Sequence, residues 1–181
     1  SNTIEYYTIP TLGNSIDFGD LTSSGKAQAG AASRTRGIFA GGETPGLTAD
    51  WEYITISSTG DAIDAGDLTA TRAMATGFSN QTRAVFSGGY GGGSSYRNLT
   101  DYVTIATTGN AVDFGDATVS AGGGGASSSP TRAVRGGGLA PGNSDVIDKV
   151  EILTLGNAVD FGNLNAAGHN LQGFSNGHGG L

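Results

Sequence analysis

The chain has 181 residues, 33 of them glycine, with a net charge of −7 and no cysteine. The absence of cysteine excludes disulfides and thiolate metal sites, and the scarcity of basic residues argues against nucleic-acid binding. No apolar run approaches the ~18 residues that a membrane-spanning helix needs, so we expect no membrane insertion. Glycine weakens helices, and so many small residues favour closely packed sheets with tight turns.

A segment related to Thr108-Gly-Asn-Ala-Val-Asp-Phe-Gly-Asp116 occurs four times along the chain. Its first aspartate recurs in steps of 47, 49 and 47 residues, at Asp17, Asp64, Asp113 and Asp160. A fixed period of this length is the signature of a repeat architecture. We therefore expect a single repeat domain over residues 1–181, with repeats at about 4–50, 51–99, 100–149 and 150–181, the last incomplete.

The first half of each repeat predicts two strands. An alternating run rich in β-branched and aromatic residues opens it, at residues 4–9, 51–56, 101–105 and 150–153. Glycine beside Asn or Asp then predicts a tight hairpin turn. The second strand carries an equivalent apolar residue in each repeat, at Ile16, Ile63, Val112 and Val159.

The second half of each repeat predicts two more strands and a loop. Small residues at 27–32, 73–78, 121–126 and 170–174 predict an inner strand with little room for side chains. Two apolar positions before a double glycine, at 36–42, 83–89 and 132–138, predict a buried strand ending in a tight bend. The variable segments 43–50, 90–100 and 139–149 are predicted surface loops, where function usually lies.

Four short strands in 47 to 49 residues is the size of a propeller blade. The order of Arg72, a small strand, Val85-Phe-Ser-Gly-Gly89, a loop and Tyr102-Val-Thr-Ile105 resembles a kelch repeat. Asp113-Phe-Gly-Asp116 stands where a kelch repeat carries tryptophan, and this variant resembles the kelch-like propeller repeats in virion and tail-fibre proteins of tailed phages, notably marine ones.

The resemblance implies an all-β, kelch-like β-propeller of about four repeats, each with four short antiparallel strands. Two arrangements stay open. In one, a compact four-bladed ring lets the two termini share a blade. In the other, further blades lie outside this chain. We favour the compact ring.

Several motifs imitate catalytic or metal sites. The Asp-Phe-Gly triplet matches the magnesium-binding triplet of protein kinases, but it recurs with the repeat and lacks its companion motifs. Paired aspartates three residues apart offer calcium too few oxygens, and we expect them to accept turn N–H groups. The glycine-rich runs and the two histidines, His169 and His178, lack the context of a phosphate or catalytic site. We predict no enzyme activity, no catalytic residue, no cofactor and no metal.

Three arginines, Arg36, Arg83 and Arg132, recur at one position of the repeat. We expect them to pair with carboxylates or carbonyls between blades. A shared arginine ring that binds carboxylates is the alternative, because the guanidinium group suits that ligand.

The binding candidates are the loop residues Tyr90, Tyr96 and Arg97, together with Trp51. Aromatic side chains with arginine on variable loops suit carbohydrate or protein contacts. Trp51 opens a strand, so covering the rim of its blade is the favoured alternative for that residue.

The resemblance implies a non-enzymatic module of a phage virion appendage or tail fibre, in the virion or outside the cell. Its loops would attach to a host-surface glycan or protein, its other partners would be virion proteins, and homo-oligomerisation stays open. One alternative is a structural virion protein that binds other virion subunits, and another is a sugar-binding or scaffolding propeller outside phages. A copper enzyme of galactose-oxidase type is the weakest, because cysteine is missing and histidine is scarce.

Overall fold

A computed structural model describes residues 1–173, and these residues form nineteen β-strands with every pairing antiparallel. The described part of the chain contains no helix, and so no helix that could cross a membrane. The strands are β1 (Thr3–Tyr6), β2 (Ile16–Asp20), β3 (Ala29–Ala32), β4 (Arg36–Ala40), β5 (Glu43–Thr44), β6 (Gly46–Leu47), β7 (Asp50–Thr55), β8 (Ile63–Asp67), β9 (Thr76–Ser79), β10 (Arg83–Ser87), β11 (Tyr90–Gly92), β12 (Ser95–Tyr96), β13 (Leu99–Thr104), β14 (Val112–Asp116), β15 (Gly125–Ser128), β16 (Arg132–Gly136), β17 (Leu139–Ala140), β18 (Gly142–Glu151) and β19 (Val159–Gly168).

Fourteen of the nineteen strands form three four-stranded units and one separate hairpin; of the other five, β5–β6 and β11–β12 form two-stranded sheets and β17 pairs with β18. Unit 1 contains β3, β4, β7 and β8, unit 2 contains β9, β10, β13 and β14, and unit 3 contains β15, β16, β18 and β19. β1 and β2 form a two-stranded sheet of their own, the leading hairpin. The all-β prediction is confirmed. Residues 1–173 form no closed ring of sheets, and the kelch-like propeller stays a prediction.

One strand is longer than its sequence pattern predicts. Residues 150–153 were the expected opening strand of the last repeat, but β18 spans Gly142–Glu151 and pairs with β16 along residues 147–151. Asp148 and Lys149 interrupt the apolar alternation there, so the sequence pattern does not indicate the full length of this strand. Asp148 is nevertheless buried, because Arg135 on β16 lies 3.5 Å from its carboxylate.

The Gly-Asn dipeptide does not form the tight hairpin turn that the sequence predicts. In unit 1 the chain reverses directly after β7, where Ser58 N–H donates to the Thr55 carbonyl. Gly60 and Asp61 follow in an extended connection that leaves the sheet. The dipeptide is therefore free to contact a neighbouring unit.

That contact joins neighbouring units. Between units 1 and 2, Gly109 N–H donates to the Ala65 carbonyl and Ala111 N–H to the Asp67 carbonyl, both at 2.7 Å. The Asn110 side chain accepts from Asp67 N–H at 3.2 Å. The same three bonds form at the other two junctions. The leading hairpin and unit 1 are joined through Phe18, Asp20, Gly60, Asp61 and Ala62. Units 2 and 3 are joined through Phe114, Asp116, Gly156, Asn157 and Ala158.

A buried carboxylate reinforces each junction. Asp101 on β13 accepts from both the backbone N–H and the hydroxyl of Thr69, at the exit of unit 1. The equivalent pairs are Thr22 with Glu52 and Thr118 with Asp148. Backbone donors in one unit are thus satisfied by side chains of the next, which fixes the stacking of the units.

The inner strands lie side by side, as their small residues predict. A side chain at Gly77 on β9 would meet the Gly30 carbonyl of β3 at 2.1 Å. The fourth predicted inner segment, 170–174, forms no strand over its described residues 170–173, and Phe174 lies outside the described residues. All four segments nevertheless line one cavity of about 630 Å³.

Candidate functional site

Three short hairpins follow the double glycines, at the ends of β4, β10 and β16. In unit 2, Tyr90 exchanges two backbone hydrogen bonds with Ala73, at 2.7 and 3.0 Å. Lys26 with Glu43 and Gly122 with Leu139 form the equivalent bridges. We name these three hairpins (β5–β6, β11–β12 and β17 with the start of β18) the hairpin face. Each is anchored at its base, so its tip is presented on a fixed support.

The double glycine of unit 2 allows this close anchoring. Gly88 and Gly89 have φ of 69° and 117°, a conformation that disfavours other residues. A side chain at Gly88 would approach the Ala121 carbonyl oxygen to 2.3 Å. The chain can therefore turn against its neighbour only with glycine here.

Three of the predicted binding residues lie together on this hairpin. Tyr90 and Tyr96 are cross-strand partners with ring centroids 5.6 Å apart, and both side chains are half-buried. Arg97 N–H donates to the Gly89 carbonyl at 2.8 Å. Its guanidinium lies over Gly91, where a side chain would come within 2.7 Å of Nε. That Nε is buried and has no hydrogen-bond partner among the described residues.

The aromatic pair with an adjacent cation can stack on an apolar sugar face and donate to a carboxylate or hydroxyl. Stacking and cation–π contacts are available because both rings keep exposed surface. Leu47, in the hairpin of unit 1, lies 3.5 Å from where a side chain at Gly92 would begin. Neighbouring hairpins therefore form one continuous surface.

Trp51 does not belong to this surface. Its side chain is fully buried, and its Nε1–H donates to the Gly109 carbonyl of unit 2 at 2.9 Å. Unit 1 is the repeat with Ala65 where the others carry phenylalanine, and the indole packs in the same apolar cluster as Ala65. Trp51 therefore offers no surface to a ligand, and its place as a binding candidate is corrected to a core position.

Two of the three recurring arginines join neighbouring units, and the third pairs within its own unit. Arg36 donates to the Ile105 carbonyl at 2.6 Å and Arg83 to the Ile152 carbonyl at 2.9 Å, each in the following unit. Their guanidinium groups also lie over Tyr53 and Tyr102 respectively. The predicted pairing with carbonyls between units is confirmed for these two. Arg132 instead pairs with Glu151 of its own unit, on the surface.

Two buried ion pairs lie beneath the hairpin face, and the sequence did not predict them. Arg72 Nη2 lies 2.7 Å from Asp101 Oδ2, and both side chains are fully buried. Burial lowers the pKa of the Arg72 guanidinium, and Asp101 opposes that shift. Arg135 and Asp148 form the corresponding pair in unit 3. Arg135 on β16 stands at the repeat position that Phe86 holds on β10. A charged residue at this otherwise apolar position was the sequence signal from which a buried ion pair could have been predicted.

The described residues contain no cluster that could hold a metal ion. Asp64, Asp113 and Asp160 each accept from the N–H of the glycine two residues later, within β8, β14 and β19 and not in the turn that the sequence predicts. Within residues 1–173 no group of three His, Asp or Glu side chains is placed to hold a metal ion. His169 Nδ1 lies 2.8 Å from Asn143 Oδ1 on the surface, and His178 lies outside the described residues.

A scan of protein-family models and a search of curated protein sequences find no match to this chain.

Proposed function

We propose that this chain is a non-enzymatic, kelch-like propeller module of a phage virion appendage or tail fibre. Its hairpin face binds a host-surface glycan, with Tyr90 and Tyr96 as the stacking platform and Arg97 as the charged contact. The observation that carries the proposal is the Tyr90–Tyr96 pair, half-exposed on an anchored hairpin beside the half-buried side chain of Arg97. Glycan recognition suits such a platform, because rigid aromatics lose little entropy on binding.

Three features support the propeller. The repeat period is 47 to 49 residues, each unit has four antiparallel strands in chain order, and the inner segments share one cavity. A phage appendage is proposed from the resemblance of the repeated segment. No cofactor, nucleic-acid or membrane partner is part of the proposal.

A glycan array tests the binding. The wild-type chain should bind a defined set of glycans, and Tyr96→Ala and Arg97→Ala should each weaken binding by about tenfold or more, as truncation of a hot-spot residue does. Val112→Ala, at an exposed position of β14 outside the hairpin face, is the control and should bind normally. Unchanged binding by both unit 2 variants, with intact folding, would reject this site.

A purely structural virion protein is the second candidate. The large apolar residues exposed at the two ends of the described fold, including Leu12 and Phe161, favour it. A structural role predicts that the chain binds no glycan. It also predicts that the chain co-sediments with purified virion subunits, and that Phe161→Asp abolishes this co-sedimentation whereas Tyr96→Ala does not.

A further inference from the structure

The outer edge of unit 3 carries a copy of the repeated segment that pairs with no other unit among residues 1–173. At the three junctions the corresponding residues Phe18, Ala65 and Phe114 are buried, whereas Phe161 is 62% exposed. A side chain at Gly162 would meet no described atom within 4 Å, whereas one at Gly115 would strike the Gly156 backbone at 2.5 Å. β19 therefore presents the half of a junction that accepts a neighbour.

The leading hairpin presents the other half. Its connection contains Gly13-Asn14, equivalent to Gly109-Asn110. Leu12 is fully exposed and Ile9 is 89% exposed. Apolar surface of this kind marks an interaction site when it is contiguous.

The two halves match bond for bond. By analogy with the internal junctions, Gly13 N–H would donate to the Phe161 carbonyl and Ser15 N–H to the Asn163 carbonyl. Asn14 would accept from Asn163 N–H, as Asn157 accepts from Asp116.

A buried carboxylate bond has its counterpart as well. Glu5 occupies the position of Asp101, because each pairs with the first aspartate of the following strand, Asp17 or Asp113. Asn165 occupies the position of Thr69, two residues beyond the last residue of the repeated segment. Among the described residues Glu5 accepts only a local bond, from the Ser15 hydroxyl at 3.1 Å.

We propose that the edge of β19 binds the leading hairpin of a second copy of this chain, so that copies associate head to tail. In the structure both halves stand exposed on one chain, so a second copy can dock without rearrangement. Two different, complementary surfaces make a heterologous contact, which produces rings or open filaments. Each copy carries a net charge of −7, so association strengthens as salt screens the repulsion. The inference does not depend on glycan binding.

Analytical ultracentrifugation tests the association at up to about 1 mM protein, where even a weak interface forms. The wild-type chain should show concentration-dependent oligomers, and Phe161→Asp should weaken association at least tenfold. Val112→Asp removes an apolar residue that is 51% exposed on β14, away from both ends, and should associate like the wild type. A wild-type chain that stays monomeric, or oligomers that Phe161→Asp leaves unchanged, would overturn the proposal.

Introduced cysteines distinguish a second copy from closure within one chain, since the chain has none of its own. Mixing the single variants Asn14→Cys and Asn163→Cys under oxidising conditions should yield a disulfide-linked dimer. The double variant should yield a ladder of covalent oligomers. A double variant that forms only an internally crosslinked monomer would overturn the proposal in favour of ring closure. Asp67→Cys with Asn110→Cys, at an existing junction, is the control for geometry and should crosslink within one chain.

Discussion

Arg72 and Asp101 form a fully buried ion pair at 2.7 Å directly beneath the hairpin that carries Tyr90 and Tyr96. A side chain at Gly89 would lie 3.3 Å from Arg72 Cδ, so the arginine stem supports the base of that hairpin. Asp101 also accepts two bonds from Thr69 of unit 1. One carboxylate thus connects the candidate site with the junction between two units.

Removing one partner of this pair should strongly destabilise the fold. Asp101→Ala leaves the Arg72 guanidinium buried without its counter-charge, and we expect a loss of about 3–5 kcal/mol in the free energy of unfolding. The double variant Arg72→Met/Asp101→Leu should recover much of that loss, because Arg72 Nε and Nη1 lack partners among the described residues in any case. Urea denaturation followed by circular dichroism measures both.

The control is the exposed pair of Lys26 and Glu43, at 3.3 Å. Lys26→Ala should cost no more than about 1 kcal/mol, as surface ion pairs do. Equal losses in the free energy of unfolding for Asp101→Ala and Lys26→Ala would contradict the expected energetic difference between the buried and the exposed ion pair.

Arg83 and Arg132 share a repeat position but not a role, which makes them a matched pair of variants. Arg83→Ala loses a charged hydrogen bond to the Ile152 carbonyl and a cation–π contact with Tyr102, and should cost about 2–3 kcal/mol. Arg132→Ala loses only an exposed ion pair with Glu151 and should cost under about 1 kcal/mol. Chemical denaturation of dilute protein, below any self-association, compares the two. The reverse order of losses would refute the assignment.

Trp51→Phe isolates the indole hydrogen bond between units. Phenylalanine keeps most of the buried apolar surface but leaves the Gly109 carbonyl without its Nε1–H donor, so we expect a loss of about 1–3 kcal/mol. Thermal unfolding measures it, and glycan binding at the hairpin face should be unaffected at temperatures below the transition. A stability equal to that of the wild type would show that this bond contributes nothing.

Asp50 gives the stability a specific pH dependence. Burial, followed by the charges of Asp67, Asp64 and Glu52, raises the pKa of Asp50 above its ordinary value of 3.8. Because the folded-state pKa is higher than the unfolded one, ionised Asp50 destabilises the fold at neutral pH. That penalty decreases as the pH falls through the folded-state pKa and is gone below the unfolded value.

Asp50→Asn should therefore stabilise the fold at pH 7 by up to about 0.5 kcal/mol, since solvent screens an exposed group. The amide can still donate to Asp67. The gain should disappear below the ordinary pKa of 3.8. Melting temperatures recorded across this range test the sign, and a variant less stable than the wild type at pH 7 would contradict it.

Strand positions were predictable from the sequence because the repeat supplies several copies of each pattern. The strands that begin at Ile16, Ile63, Val112 and Val159 were found this way. The junctions were not predictable, because a Gly-Asn dipeptide is typical of a hairpin turn. Its hydrogen-bond partners lie in the neighbouring unit, which the local sequence does not show. The burial of Trp51 was not predictable from its own repeat, because its apolar cluster also contains Phe86 and Val103 of unit 2.

The candidate site was predictable in part for a similar physical reason. Variable loops identified Tyr90, Tyr96 and Arg97, and the hairpin brings them together because its strands pair Tyr90 with Tyr96. The buried pair beneath them joins residues 29 positions apart. A local pattern cannot register a contact of that kind.

The central claim is that the repeated segment fastens each unit to the next, and backbone amide hydrogen exchange tests it most directly. In dilute protein the amides of Gly109 and Ala111 should exchange slowly, because they donate to Ala65 and Asp67 of unit 1 at 2.7 Å. The equivalent amides of Gly13 and Ser15, which have no neighbouring unit, should exchange rapidly under the same conditions. Exchange at Gly109 and Ala111 as fast as at Gly13 and Ser15 would contradict the account.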